Sequence, residues 1–157
     1  MDQKRLSIWL KAVVVGCALC GVALFGVILP GFLANQAAQH PGFSNRAWTV
    51  FMWVMVVPCY TVLVCVWRIA GQIARNNSFS RENAMSLRII ALLAGLDAAL
   101  LLVGNAVFLA LGRSVPMLSL VSAFVCFAGL AISVGAACLS HLVLKAAGLQ
   151  EENDLTI

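Results

Sequence analysis

Ile89 to Gly112 reads IIALLAGLDAALLLVGNAVFLALG, a stretch of 24 residues with a single charged side chain, Asp97. A helix rises 1.5 Å per residue, so about 20 residues cross the roughly 30 Å hydrocarbon layer of a bilayer. The run is continuous rather than alternating, which excludes a membrane β-barrel strand. Three further stretches read the same way, and the predicted spans are residues 12–34, 47–68, 89–111 and 116–143. The expected fold is all-α: an integral membrane four-helix bundle in one domain of residues 1–157, with 145–157 as a short tail.

Composition agrees. Of the 157 residues 62% are hydrophobic and 10% charged, against about 45–50% and about 25% in soluble domains. The net charge of +4 does not mark a nucleic-acid binder, because the basic residues sit in short stretches between apolar runs and form no basic stripe interleaved with aromatics. Lys4, Arg5, Lys11, Arg68, Arg75, Arg81, Arg88 and Lys145 fall on the side of the N-terminus, and only Arg46 and Arg113 fall opposite. All connections are short, so this bias predicts that the N-terminus and the C-terminus are both cytoplasmic. Trp9 and Trp67 are then expected at the inner interface and Trp48 at the outer one. Lys4, Arg5 and Lys11 resemble the basic end of a signal peptide, yet the apolar run Ala12–Ala34 outlasts the about 7–15 residues of a cleaved core. A retained helix is expected.

The connections carry their own signals. Pro41-Gly42 marks a bend in the first outer loop, and Asn76-Asn77-Ser78 breaks the inner one. Ser80 is a plausible N-cap with Asn83 in the capping-box position, so the third helix is expected to start in water near Arg81. The Gly112-Arg113-Ser114 turn is tight enough to make the third and fourth helices antiparallel neighbours. Gly148 reads as the residue that ends the last helix. Ala94, Gly95, Ala98 and Ala99, with Ala128, Ala131 and Gly135, are spaced for close helix packing in lipid.

Chemistry is sparse. Asp97 is the one charged side chain inside a span, and an intramembrane acid is costly enough to suggest a functional site. It lies about 13 Å in from Arg88, at the depth of Tyr60 and Thr61 of the second helix and Ser133 of the fourth. Gly104 and Asn105 extend a polar strip along the same helix. One reading is a proton or ion site in a small transporter; the plainer one is a hydrogen-bonded residue that fixes packing. Cys17 and Cys20 form a Cys-x-x-Cys pair as in membrane thiol oxidoreductases, but Cys59, Cys65, Cys126 and Cys138 lie in spans and no loop offers a second pair, so the cysteines are expected to be packing residues. His40 and His141 are predicted on opposite sides and share no metal. No nucleotide, zinc or hydrolase motif occurs; no enzyme, cofactor or metal is expected.

Asn77-Ser78-Phe79-Ser80-Arg81-Glu82-Asn83 with Leu87-Arg88, and Glu152-Asn153-Asp154-Leu155-Thr156-Ile157 at the C-terminus, resemble the bacterial domain of unknown function 2975. Its members are small four-helix membrane proteins often encoded beside a short helix-turn-helix regulator. The resemblance implies location in the bacterial inner membrane and recognition of a cytoplasmic partner by Phe79, Arg81, Glu82 and Asn83 together with Glu152, Asn153, Asp154, Leu155, Thr156 and Ile157. A helix-turn-helix transcription regulator is the expected partner, bound as protein with no direct nucleic-acid contact, and homo-oligomerisation is left open. The plain alternatives are a solvated tail, a helix cap, and contact of the basic loop with anionic lipid.

Overall fold

In the computed structural model the described residues, 3–40, 43–75 and 77–154, form four long helices and the turns between them. Helix α1 spans Gln3–Gln39, α2 Asn45–Ala74, α3 Arg81–Ala110 and α4 Pro116–Asp154. Each contains an apolar stretch long enough to cross a membrane. Large apolar side chains such as Val27, Phe124 and Phe127 point outward along their lengths, the arrangement expected when the solvent is lipid and exposure of apolar surface costs nothing. Four antiparallel crossings bring the start of α1, the α2–α3 loop and the end of α4 to one end of the molecule, which also holds eight of the ten Lys and Arg residues. We call it the basic end.

Backbones approach one another in chain order: α1 packs on α2, α2 on α3 and α3 on α4, the last pair most closely. Among the described residues the backbones of α1 and α4 do not approach one another, although Leu33 of α1 shares a buried cluster with Trp48, Val115 and Leu118.

Proline shapes α1. Pro30 has no N–H, and its ring displaces the carbonyl four residues back. The helix widens into a π-turn at Leu24–Ile28, in which the Leu29 N–H reaches the Leu24 carbonyl, and Pro30 then opens the following α-helical section. Such an insertion changes which face of the helix looks inward. Beyond it, Leu33 is buried in the core.

The α3–α4 turn is a Schellman motif. Gly112 sits at φ +65°, its N–H donates to the Leu109 carbonyl at 3.0 Å, and the Arg113 N–H donates to Phe108 at 2.8 Å. Trp48 closes the turn from α2: its indole N–H donates to the Arg113 carbonyl at 3.0 Å, and its ring packs on Phe51 and Phe108. Trp48 lies at the end away from the basic loop as expected, yet it is fully buried and does not face an interface. Satisfying an indole N–H with a protein carbonyl lets the ring enter the core.

Between α3 and α4 runs a polar ladder that the alanine spacing did not reveal. Ser119 donates to the Asn105 side chain, Cys126 to the Ala98 carbonyl, Ser133 to Ala91 and Ser140 to Ala84. Donors and acceptors each recur every seven residues, the period of a left-handed helix pair. The α4 contact face therefore follows Ser119, Cys126, Gly129, Ser133 and Ser140, with Gly129 against Ala94 and Ala98, and Gly95 against Ser133. Ala128, Ala131 and Gly135, expected at this contact, are exposed. Finally, α4 does not stop at Gly148 but continues to Asp154. Gly148 lies inside the helix, where the aligned backbone of a long helix outweighs one glycine's cost of about 1 kcal/mol.

Candidate functional site

Polar side chains collect at the basic end, where the α2–α3 loop is built around Asn83. The Ser80 hydroxyl accepts from the Asn83 N–H at 3.2 Å and caps α3. The expected capping-box return contact is replaced by another: the Asn83 side-chain amide turns back and donates to the carbonyls of Asn77 and Ser78, at 3.2 and 2.9 Å. Asn83 is thus 2% exposed and closes the loop from inside, where sequence reading placed it on a recognition surface. Gln72 braces the other side, donating to the Glu82 carboxylate at 2.5 Å, while its backbone carbonyl accepts the N–H groups of Arg75 and Asn77. The Asn83 Oδ1 is buried without a hydrogen-bond partner among the described residues, and Phe79 is left exposed at the tip of the loop.

The end of α4 is fastened to this loop. Arg81 donates from Nε and Nη2 to the two carboxylate oxygens of Glu151, at 3.0 and 2.7 Å. That bidentate geometry holds direction as well as distance. The hydrogen bond to Glu151 raises the Arg81 pKa from its already high value, so the guanidinium keeps its charge across physiological pH. Glu152 and Asn153 are exposed on the same final turns of α4. Asp154 ends the helix, and Leu155, Thr156 and Ile157 lie outside the described residues. Phe79, Arg81, Glu82, Glu152 and Asn153 therefore come together at one end, as the two sequence stretches implied. Glu151 and Gln72, which make the connections, were missed, since no local sequence signal marks either of them.

The intramembrane polar residues do not share a site. Asp97 faces α2, where the Cys59 thiol donates to its Oδ2 at 3.2 Å, and its buried Oδ1 has no hydrogen-bond partner among the described residues. The expected neighbours are occupied elsewhere: the Tyr60 hydroxyl donates to the Ala18 carbonyl of α1, Thr61 to Val57 in its own helix, and Ser133 to Ala91. Asn105 belongs to the α3–α4 ladder, nearer the opposite end. Helix phase explains the split, since residues eight apart drift by about 80° around a straight helix. Among the described residues no group of three or more His, Cys, Asp or Glu is placed to hold a metal, and Cys17 and Cys20 are exposed on α1 as free thiols.

The comparisons agree with a membrane protein and name no activity. A family model described as Protein of unknown function (DUF2975) matches residues 31–157. The "Uncharacterized membrane protein YoaS" of Bacillus subtilis (strain 168) is 26% identical over 159 residues, covering 99% of each chain. No solved structure matches.

Proposed function

The chain belongs to the DUF2975 family of proteins of unknown function, and on that premise we propose that it is a non-enzymatic membrane anchor whose basic end recruits a cytoplasmic regulatory protein. The observation that carries the proposal is the Arg81–Glu151 pair, which joins the α2–α3 loop to the end of α4 and so makes one platform from two stretches that are 70 positions apart. Near the pair stand an exposed aromatic, Phe79, and the exposed acid Glu152. An aromatic anchor beside acidic groups suits a partner with an apolar pocket inside a basic surface. A small helix-turn-helix regulator has such a surface, and holding it at the membrane would keep it from DNA. The basic end is then cytoplasmic, as its excess of Lys and Arg argues, and the membrane is the bacterial inner membrane.

The test is co-purification from native membranes. The full chain is expected to retain a helix-turn-helix protein that is lost on truncation after Gln150 and on Arg81→Glu, and that returns when Arg81→Glu is combined with Glu151→Arg. Equal recovery by all four forms, or none by the full chain, would falsify recruitment. A second reading rests on the unpartnered Asp97 Oδ1: an intramembrane acid with spare acceptor capacity suits proton or cation transport.

A further inference from the structure

A crevice of about 440 Å³ opens at the basic end between the last turns of α2 and the first turns of α3. Arg68, Gln72 and Arg75 line one wall, and Glu82, Asn83, Met85, Ser86 and Ile89 the other. The α2 residues stand at four- and seven-residue offsets, which puts them on one face with the two guanidinium groups about two turns apart. Glu82 is held by Gln72, and neither Arg68 nor Arg75 forms an ion pair among the described residues. Arg68 and Arg75 therefore line the crevice without an ion pair, and against the single carboxylate of Glu82 they leave its lining net positive; the Ser86 hydroxyl makes no hydrogen bond among the described residues. An excess of cations converging on a cavity calls for an anion. The lip of the crevice identifies its source: Met85 is 59% exposed and Ile89 38%, apolar side chains on the outward surface of a membrane helix where an acyl chain would lie. Trp67, beside Arg68, is also exposed and marks the interfacial level.

We propose that this crevice binds the phosphodiester headgroup of an anionic phospholipid, with Arg68 and Arg75 on the phosphate, Ser86 as a further donor, and Met85 and Ile89 against the first acyl carbons. The shared chemistry is a phosphate anion, and the acyl contact distinguishes lipid from a soluble phosphate. Gly71, in the α2 wall, has nothing within 4 Å of where a Cβ would stand, so the wall is open to a ligand. The site needs no protein partner and is separable from recruitment by the platform.

The test uses the full chain purified in detergent, stripped of lipid, and titrated with phosphatidylglycerol, phosphatidylcholine or inorganic phosphate, with thermal unfolding and native mass spectrometry as readouts. Phosphatidylglycerol is expected to raise the unfolding midpoint and remain bound, while phosphatidylcholine and inorganic phosphate do neither. Arg68→Gln combined with Arg75→Gln is expected to weaken phosphatidylglycerol about fivefold per arginine, roughly 25-fold for the pair, with the midpoint in phosphatidylcholine unchanged. Arg46→Gln combined with Arg113→Gln removes the same charge at the opposite end and is expected to leave binding intact. Equal stabilisation by inorganic phosphate would overturn the lipid assignment. Equal loss in the two double variants would overturn the site and reduce the effect to net charge.

Discussion

At the scale of single residues, Asn83 shows how a surface motif becomes an internal strut. Its amide donates to two loop carbonyls, groups that would otherwise need water at a crowded helix start. Asn83→Ala leaves both without their donor and is expected to lower stability by about 1–3 kcal/mol, read as a drop in the thermal unfolding midpoint, with faster hydrogen exchange confined to residues 77–84. An unchanged midpoint would mean the loop is not held this way. The Ser80 cap was legible because its side chain acts three residues away in the chain, and capping is a local code. The inward turn of Asn83 was not, since it depends on where the carbonyls of Asn77 and Ser78 end up. Asp97 follows the same rule. Its unusual position could be read from composition, but its neighbour Cys59 could not, because an apolar run does not reveal which face of α2 meets α3.

Among the elements, α3 and α4 make the firmest pair. Four hydrogen bonds at seven-residue intervals cross between them, and in lipid such bonds average about 0.6 kcal/mol each. Ser133→Ala combined with Ser140→Ala is thus expected to cost about 1 kcal/mol, while Ser133→Leu costs more because its larger side chain would meet the α3 backbone at Gly95; equilibrium unfolding in mixed micelles measures both. On the other face of α3 a Cβ at Gly104 would collide with the Phe51 ring. Gly104→Val is expected to disrupt the α2–α3 contact, and Phe51→Ala to restore part of the loss. Span number, the tight turn and the antiparallel pairing were all readable from hydropathy and glycine. The α4 face was misread by its alanines because small apolar residues occur all round a membrane helix, whereas the heptad of Ser119, Cys126, Ser133 and Ser140 was present in the sequence and specific.

For the whole molecule, the two functional readings predict separate sensitivities. If recruitment at the basic end is the role, Asp97→Asn is expected to leave partner retention within about twofold, because Asp97 and the platform share no contacts; the co-purification yield measures it. If the same substitution abolishes function in cells while truncation after Gln150 does not, transport is favoured. Partner retention is also expected to fall with added salt, since exposed charges separated by more than about 8–10 Å are screened at physiological ionic strength. The sequence made the membrane class evident through length and apolarity, and it grouped the two polar stretches at one end by simple counting of crossings. It was silent on the ion pair and the crevice, since both arise from side chains on different helices whose rotation about their axes hydropathy leaves open.

The short α3–α4 turn bears on how the protein is made. With Gly112 holding a reversal at Leu111–Val115 and Trp48 gripping its Arg113 carbonyl, the two final helices are expected to enter the bilayer close together in time. They are expected to enter as a hairpin, the polar rungs of each matched by the other. Such a hairpin carries Asp97 on the face that α2 covers, so the acid meets its Cys59 partner only when the hairpin docks on the helices made before it.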